Sequence, residues 1–202
     1  MFYEPSKGHG LTHDPAKAIV SPRPIGWIST RGASGALNLA PYSFFNMLSS
    51  HPLLVWFSSE GEKDSVTFAR ESGEFVVNLV GRDLAARMNA SAVDAPRGTS
   101  EFDYAGLTPE PSRLVAAPRV REAHASLECK VTEIARPKGL DGRMSSSTVV
   151  TGEVVGVHID EAVLTDGLFD VVKAGNVARL GYMDYLTVDE VFAMRRPRWT
   201  AD

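Results

Sequence analysis

The chain has 202 residues, 44% hydrophobic and 23% charged, with a formal net charge of −4, which suits a globular core and argues against a nucleic-acid partner. A single cysteine, Cys129, excludes an internal disulfide and fits a reducing compartment. The N-terminus lacks the apolar stretch of a signal peptide, and the longest clean apolar run, residues 53–57, is too short to span a bilayer, so a cytoplasmic protein without a membrane partner is expected.

No repeat, low-complexity tract or long linker divides residues 1–202, which read as one domain. Asp14-Pro15 opens a short helix that stops near Ser21-Pro22. A β-branched and aromatic run predicts a strand over 25–30, and Gly32 to Gly35 a turn. A second strand over 37–47 forms a hairpin with the first, interrupted by Pro41. The apolar run 53–57 reads as a strand buried on both faces. Asp64 is the expected N-cap of a helix from Ser65 to about Glu71, closed by Gly73. A strand over 75–79 follows, then a helix over 84–89 capped by Asp83. Residues 92–118 are irregular, with a helical turn near Glu101. Strand alternation returns over 125–131, with Leu127, Cys129 and Val131 on one face. Residues 148–159 form a long strand with Gly152 and Gly156 as bulge positions. Thr187-Val-Asp-Glu190 fits a capping box, predicting a last helix through Met194. Many strands with only short helices favour a mainly β antiparallel barrel with peripheral α-helices over a doubly wound sheet.

The unusual chemistry is concentrated in residues 22–65. The octet SSEGEKDS (58–65) ends a strand in Ser58 and Ser59, turns at Gly61, and starts a helix beside Lys63, Asp64 and Ser65. Unpaired N–H groups at a helix start, a lysine and hydroxyl donors make a phosphate cradle; an ordinary capped helix after a polar loop has the same sequence. Tyr42, Ser43, Phe44, Phe45 and Asn46 place polar groups between aromatic walls, suited to a heteroaromatic ring or equally to a core strand. Within 27–30, Ser29 and Thr30 end a strand where hydroxyls reach a ligand or cap the turn. The five histidines have no metal-site spacing. GxSxG is absent, and Gly8-His-Gly10 fails as GxGxxG, so no Rossmann site for a nicotinamide nucleotide exists.

In order, PRPIGWIST, NLAPYSFFN, the His51-Pro52 turn with its apolar strand, and KDS resemble the flavin reductase-like family. So do GEFVVNLV (73–80), RMNASA (87–92), SEFDYAGL (100–107), GEVVGVHID (152–160) and RLGYMDY (179–185). The resemblance, strongest to a flavoredoxin-like branch, implies an FMN-binding split β-barrel of Greek-key type, usually a homodimer. It implies an FMN-dependent oxidoreductase with NAD(P)H as a transient donor. Electrons would pass to flavin and on to an acceptor such as a redox partner protein or a flavin-dependent monooxygenase. By the same resemblance Trp27, Ile28, Ser29 and Thr30 lie along the flavin, and Tyr42 to Asn46 run beside its ring. Ser58, Ser59, Lys63, Asp64 and Ser65 hold the phosphate, Asn89 and Ala90 complete the site, and Arg179, Tyr182 and Tyr185 approach it. Many NAD(P)H-dependent members carry Gly-Asp-His before the late strand; here the region is Gly142-Arg-Met-Ser-Ser-Ser-Thr148, without histidine. An electron-transfer flavoprotein that does not use NAD(P)H directly, or a non-enzymatic FMN-binding module, therefore stands as the alternative.

Overall fold

The computed structural model describes residues 1–96 and 99–199. The strands are β1 (Arg23–Pro24), β2 (Gly26–Arg31), β3 (Leu37–Tyr42), β4 (Phe45–Ser50), β5 (Leu53–Glu60), β6 (Glu74–Asn78), β7 (Pro109–Glu110) and β8 (Arg119–Val120). They continue as β9 (Ala125–Ala135), β10 (Ser147–Ile159), β11 (Leu164–Thr165), β12 (Leu168–Phe169), β13 (Val177–Arg179) and β14 (Tyr185–Thr187). Four short helices, α1 (Ala16–Ile19), α2 (Asp64–Ser72), α3 (Ala85–Ala90) and α4 (Glu101–Tyr104), surround them.

Seven strands form one antiparallel sheet in the order β3-β2-β6-β9-β10-β5-β4. Its two edges, β3 and β4, are neighbours in sequence, joined by Ser43 and Phe44 alone. Six strand spacings would hold the edges of a flat sheet roughly 29 Å apart. The step from Tyr42 to Phe45 reaches only about 11 Å. The sheet must therefore curl until its edges meet. They meet without forming a ladder, so the barrel is split along the β3–β4 seam. Ser58 N, on β5, donates to Phe44 O across the turn (2.8 Å).

The curl gives the sheet an inside and an outside. Ile28, Val55, Phe57, Phe75, Val77, Cys129 and Val150 fill the inside, and α2 adds Val66 and Ala69. On the outside Trp27, Leu39 and Val120 pack against Leu84 and Met88 near α3 and Phe102 of α4. Gly152 is required by this packing: a Cβ there would stand 2.5 Å from Phe75 Cε1. The register slips between Thr151 and Gly152 and again between Val154 and Gly156, so both glycines mark bulges as their sequence positions suggest.

One buried side chain ties the outer layer to the sheet. Asn78 Nδ2 donates to Trp27 O (3.1 Å) and Ser29 Oγ (3.0 Å). Its Oδ1 accepts from Val120 N (2.8 Å) and Ser126 Oγ (2.9 Å). Both donors and both lone pairs of the amide are used.

Three expectations need correction. The strand expected over 37–47 is two strands, β3 and β4, at opposite edges; Pro41 sits on the free-edge strand β3, where a missing N–H costs no ladder bond. On β5 burial alternates, with Val55, Phe57 and Ser59 buried and Leu54, Trp56 and Ser58 half-buried, because only one face of the curled sheet meets the interior. The last helix is absent from 188–199: Thr187 pairs with Val177 in β14, and Val191, Phe192 and Met194 find no surface to pack against. Smaller shifts occur elsewhere. Lys63 rather than Asp64 is the N-cap of α2, while Gly73 closes it at φ 70° as expected. Asp83 lies within a 3₁₀ turn that leads into α3.

Two stability predictions follow from the buried polar groups. Asn78→Ala leaves up to four partners unpaired and is expected to lower the unfolding free energy by about 1–3 kcal/mol; a urea titration showing under about 0.5 kcal/mol contradicts the role given to it. Glu128, on β9, accepts from Arg113 N (2.8 Å) and Leu114 N (2.6 Å) and pairs with His158. Burial pushes its carboxyl up, but the Arg113 N–H, His158 and the Leu114 N–H outweigh burial and hold it below the usual range. A depressed folded-state value means the stabilisation is present above the ordinary value near 4.5 and fades as pH falls through the folded one. Glu128→Gln should flatten that acid limb of the stability profile; an unchanged limb would assign it to other carboxylates.

Candidate functional site

The split seam opens into a cleft of about 650 Å³, within the usual range for a cofactor site. Its position follows from the curl: β3 supplies one wall, the end of β5 and the start of α2 the other. The Ser43-Phe44 crossing forms part of its lining.

At the α2 end the lining is polar and mostly buried. Ser59 and Ser65 have essentially no exposure, and Asn38 has 5%. Asn38 Nδ2 donates to Ser65 Oγ (2.8 Å) and Thr30 Oγ1 (3.3 Å). Tyr42 Oη and Ser59 Oγ are buried and make no well-formed hydrogen bond within the protein. Burial pushes the Tyr42 phenol above its ordinary range, against the pull of the nearby Ser65 and Ser59 hydroxyls and the Lys63 charge, so it remains a donor at neutral pH. Lys63 is the N-cap of α2, and its own side chain makes no capping bond. Its Nζ pairs with Asp94 Oδ1 (3.0 Å), which raises its pKa and keeps it charged. Both partners are exposed, so this pair is weak and exchangeable. Glu101 completes the lining from α4; its carboxylate accepts from Leu39 N (3.0 Å), and burial pushes its pKa up.

Eight of the residues named from sequence line this cleft: Tyr42, Ser43, Phe44, Ser58, Ser59, Lys63, Asp64 and Ser65. Arg179, Tyr182 and Tyr185 also line it. The others sit elsewhere, for reasons set by strand alternation. Trp27 faces the outer core, its Nε1 donating to Ser91 Oγ (2.9 Å), and Ile28 faces the barrel interior. Ser29 Oγ donates to Pro118 O (2.5 Å). Thr30 stands behind Asn38 as its acceptor. Phe45 turns inward over Gly26, where a Cβ would lie 2.7 Å from the ring. Asn46 is exposed on β4, bonded to Met47 N (2.8 Å). Asn89 and Ala90 end α3 without reaching the cleft, but Met88 and residues 91–95 on either side do reach it.

Sequence reasoning missed Asn38, Glu101, Lys17, Arg23 and Ser147. Asn38 carried a signal, a lone amide between leucines in a strand. Lys17 and Arg23 carried none, because the α1–β1 turn reaches the cleft only through tertiary packing. Ser147 belongs to the region noted for lacking a histidine.

Among the described residues, no histidine or cysteine lines the cleft, and the carboxylate–imidazole pair of Glu128 and His158 belongs to a separate pocket. Burial pushes the Cys129 thiol far up, making it inert. No group of three or more His, Cys, Asp or Glu side chains there could hold a metal. No helix among the described residues is long and apolar enough to cross a membrane.

Residues 20–176 match the model of the flavin reductase like domain. The chain belongs to the flavin reductase-like family. A protein of Halalkalibacterium halodurans is 35% identical over 183 residues, covering 88% of this chain and 87% of its own. Component B of a nitrilotriacetate monooxygenase from Bacillus cereus shares the fold at a TM-score of 0.87 and 28% identity, covering 96% of this chain and 98% of that one. The flavoredoxin of Desulfovibrio vulgaris superposes at a TM-score of 0.77 with 23% identity over 87% of this chain and 91% of its own, a likeness of fold. The family member described here is thus a split β-barrel with a cleft of about 650 Å³ at its seam.

The Ser59 hydroxyl, which makes no well-formed bond, gives a two-sided prediction. Ser59→Ala removes an unsatisfied buried group, so the ligand-free protein should be unchanged or slightly more stable in urea. A loss above about 1 kcal/mol would mean that the hydroxyl is already satisfied by the protein.

Proposed function

We propose that the cleft holds FMN and that the protein is an FMN-dependent oxidoreductase. The observation that carries this reading is the pair of buried hydroxyls without a well-formed bond, Ser59 and Tyr42, beside Lys63 at the start of α2. A phosphate supplies the acceptors these groups lack: a serine hydroxyl reaches it by rotation about χ1, and Lys63 exchanges Asp94 for it. Ser58 and Ser65 add donors, and the exposed ring of Phe44 offers an apolar wall to a flat heterocycle. Bound there, a flavin supplies hydride or electron transfer, and the protein's part is binding, orientation and exclusion of water. That division fits a site without an acid–base pair.

NAD(P)H is the proposed transient donor. A second reading, electron delivery by a protein without direct use of NAD(P)H, is favoured by the missing histidine in 142–148, whose Ser147 lines the cleft. The likeness to a monooxygenase B component supports a separate oxygenase as acceptor. A homodimer is also proposed. Edge strand β4 presents Met47 and Leu48, each 58% exposed, an apolar edge that a second copy would cover. The working compartment is proposed to be the cytoplasm.

Anaerobic mixing of the FMN-loaded protein with NADH or NADPH separates the readings. Prompt bleaching of flavin absorbance supports the reductase, and silence with either nucleotide supports the protein-fed carrier. A Lys63→Ala variant is expected to weaken FMN about tenfold while leaving riboflavin nearly unchanged, since only FMN carries the phosphate; equal losses would remove Lys63 from the phosphate. For the dimer, Met47→Lys with Leu48→Lys should give a monomer in sedimentation equilibrium, and a variant that sediments like the parent places the interface elsewhere.

A further inference from the structure

The end of the cleft away from α2 has a different chemistry, and the phosphate cradle does not use it. Arg23 is 92% buried, its residual exposure being 8%. Its Nη1 donates to the carbonyls of Lys17 and Val20 and its Nη2 to Leu180 O (2.7 Å), while Nε has no partner. Lys17 Nζ and Arg23 Cζ lie 5.8 Å and 5.9 Å from the centroid of the Phe44 ring. Arg179 Cζ stands 4.3 Å from the Tyr185 ring, and its Nη2 donates to Tyr182 O. All six side chains line the one cleft.

Among the described residues, no carboxylate forms an ion pair with Lys17, Arg23 or Arg179. The acids of the lining lie on β5 and its turn into α2, on the loop after α3, and on α4. A buried guanidinium without a counter-anion is costly, and backbone carbonyls offset only part of the cost. Two further cations converge on the same end: Lys17 shares the Phe44 ring with Arg23, and Arg179 faces Arg23 in the β1–β13 pairing. Between them are exposed aromatic faces, Phe44 at 43% and Tyr182 at 53%. Positive charge beside open ring faces fits a ligand that is both anionic and flat.

We propose that this end of the cleft binds a small aryl carboxylate, with its ring against the aromatic side chains and its carboxylate in the field of Arg23, within reach of Lys17 and Arg179. The proposal deepens the flavin reading by naming the class of molecule that sits beside the flavin, but its charge and shape argument stands without flavin. The carboxylate recovers the counter-charge that Arg23 lacks, and the ring covers exposed aromatic surface.

The test is calorimetric titration of the protein, with and without saturating FMN, using benzoate, its neutral isostere benzamide, acetate and inorganic phosphate as probes. Benzoate should bind in at least one of the two states, about tenfold or more tighter than benzamide and than acetate. Lys17→Gln, at an exposed position, and Arg179→Gln, at a half-buried one, should each cut the benzoate-to-benzamide preference several-fold with an unchanged far-ultraviolet circular dichroism spectrum. Equal binding of benzoate and benzamide, or a preference untouched by both substitutions, overturns the proposal. Phosphate or acetate matching benzoate also overturns it, in favour of a plain anion site. FMN affinity is read in the same preparations. Benzoate selectivity without FMN binding would sink the flavin reading and leave this one standing; FMN binding with no benzoate selectivity would do the reverse.

Discussion

The two-residue crossing at Ser43-Phe44 is the constraint on which the molecule depends. It joins the two edges of a seven-stranded sheet and so fixes the curl. The curl creates an interior for Phe57, Phe75 and Cys129, an outer face for the short helices, and a seam that is not laddered shut. The cleft lies at the seam because backbone and side chains there have no strand partner. Tyr42, just before the crossing, turns toward Ser59 and Ser65; Phe44, within it, lies beneath Lys17 and Arg23. The two chemistries of the cleft are separated by two residues of chain.

Polar burial divides into groups that the fold satisfies and groups that it leaves open. Asn78 uses every donor and acceptor it has, and Glu128 is held by two backbone N–H groups and a histidine. These fix outer loops onto the sheet. Ser59 and Tyr42, at the cleft, are left without well-formed bonds, and Arg23 without a counter-charge. Buried polar atoms without a partner also occur on Ser100, Arg119 and Asn176, but among the described residues only at the cleft do three of them, on Tyr42, Ser59 and Arg23, line one cavity. The contrast within one small protein is what makes the cleft the functional candidate, rather than the second pocket, lined by Arg113, Leu114, Glu128 and residues 156–159.

Much of this was legible in the sequence. Alternation in 125–131, the glycine bulges of β10, the Gly73 stop and the serine-rich start of α2 are local signals, and local physics decides them. The octet 58–65 identified its cleft residues because strand end, turn and helix start are contiguous. Trp27, Ile28 and Ser29 were harder, since a strand's alternation does not say which side of a curled sheet faces a ligand. Lys17 and Arg23 were invisible for another reason: α1 is four residues long, and its place at the cleft comes from β1 pairing with β13, a contact across more than 150 residues. The false helix at 187–194 had a fair capping box, but no apolar partner surface outweighed the strand pairing of Thr187.

The most direct measurement is a crystal structure of the protein with FMN bound. The account predicts one FMN per chain in the seam, with its phosphate within hydrogen-bond distance of Ser59, Ser65 and Lys63 at the start of α2. A phosphate found instead among Lys17, Arg23 and Arg179, with the α2 end unused, would contradict it.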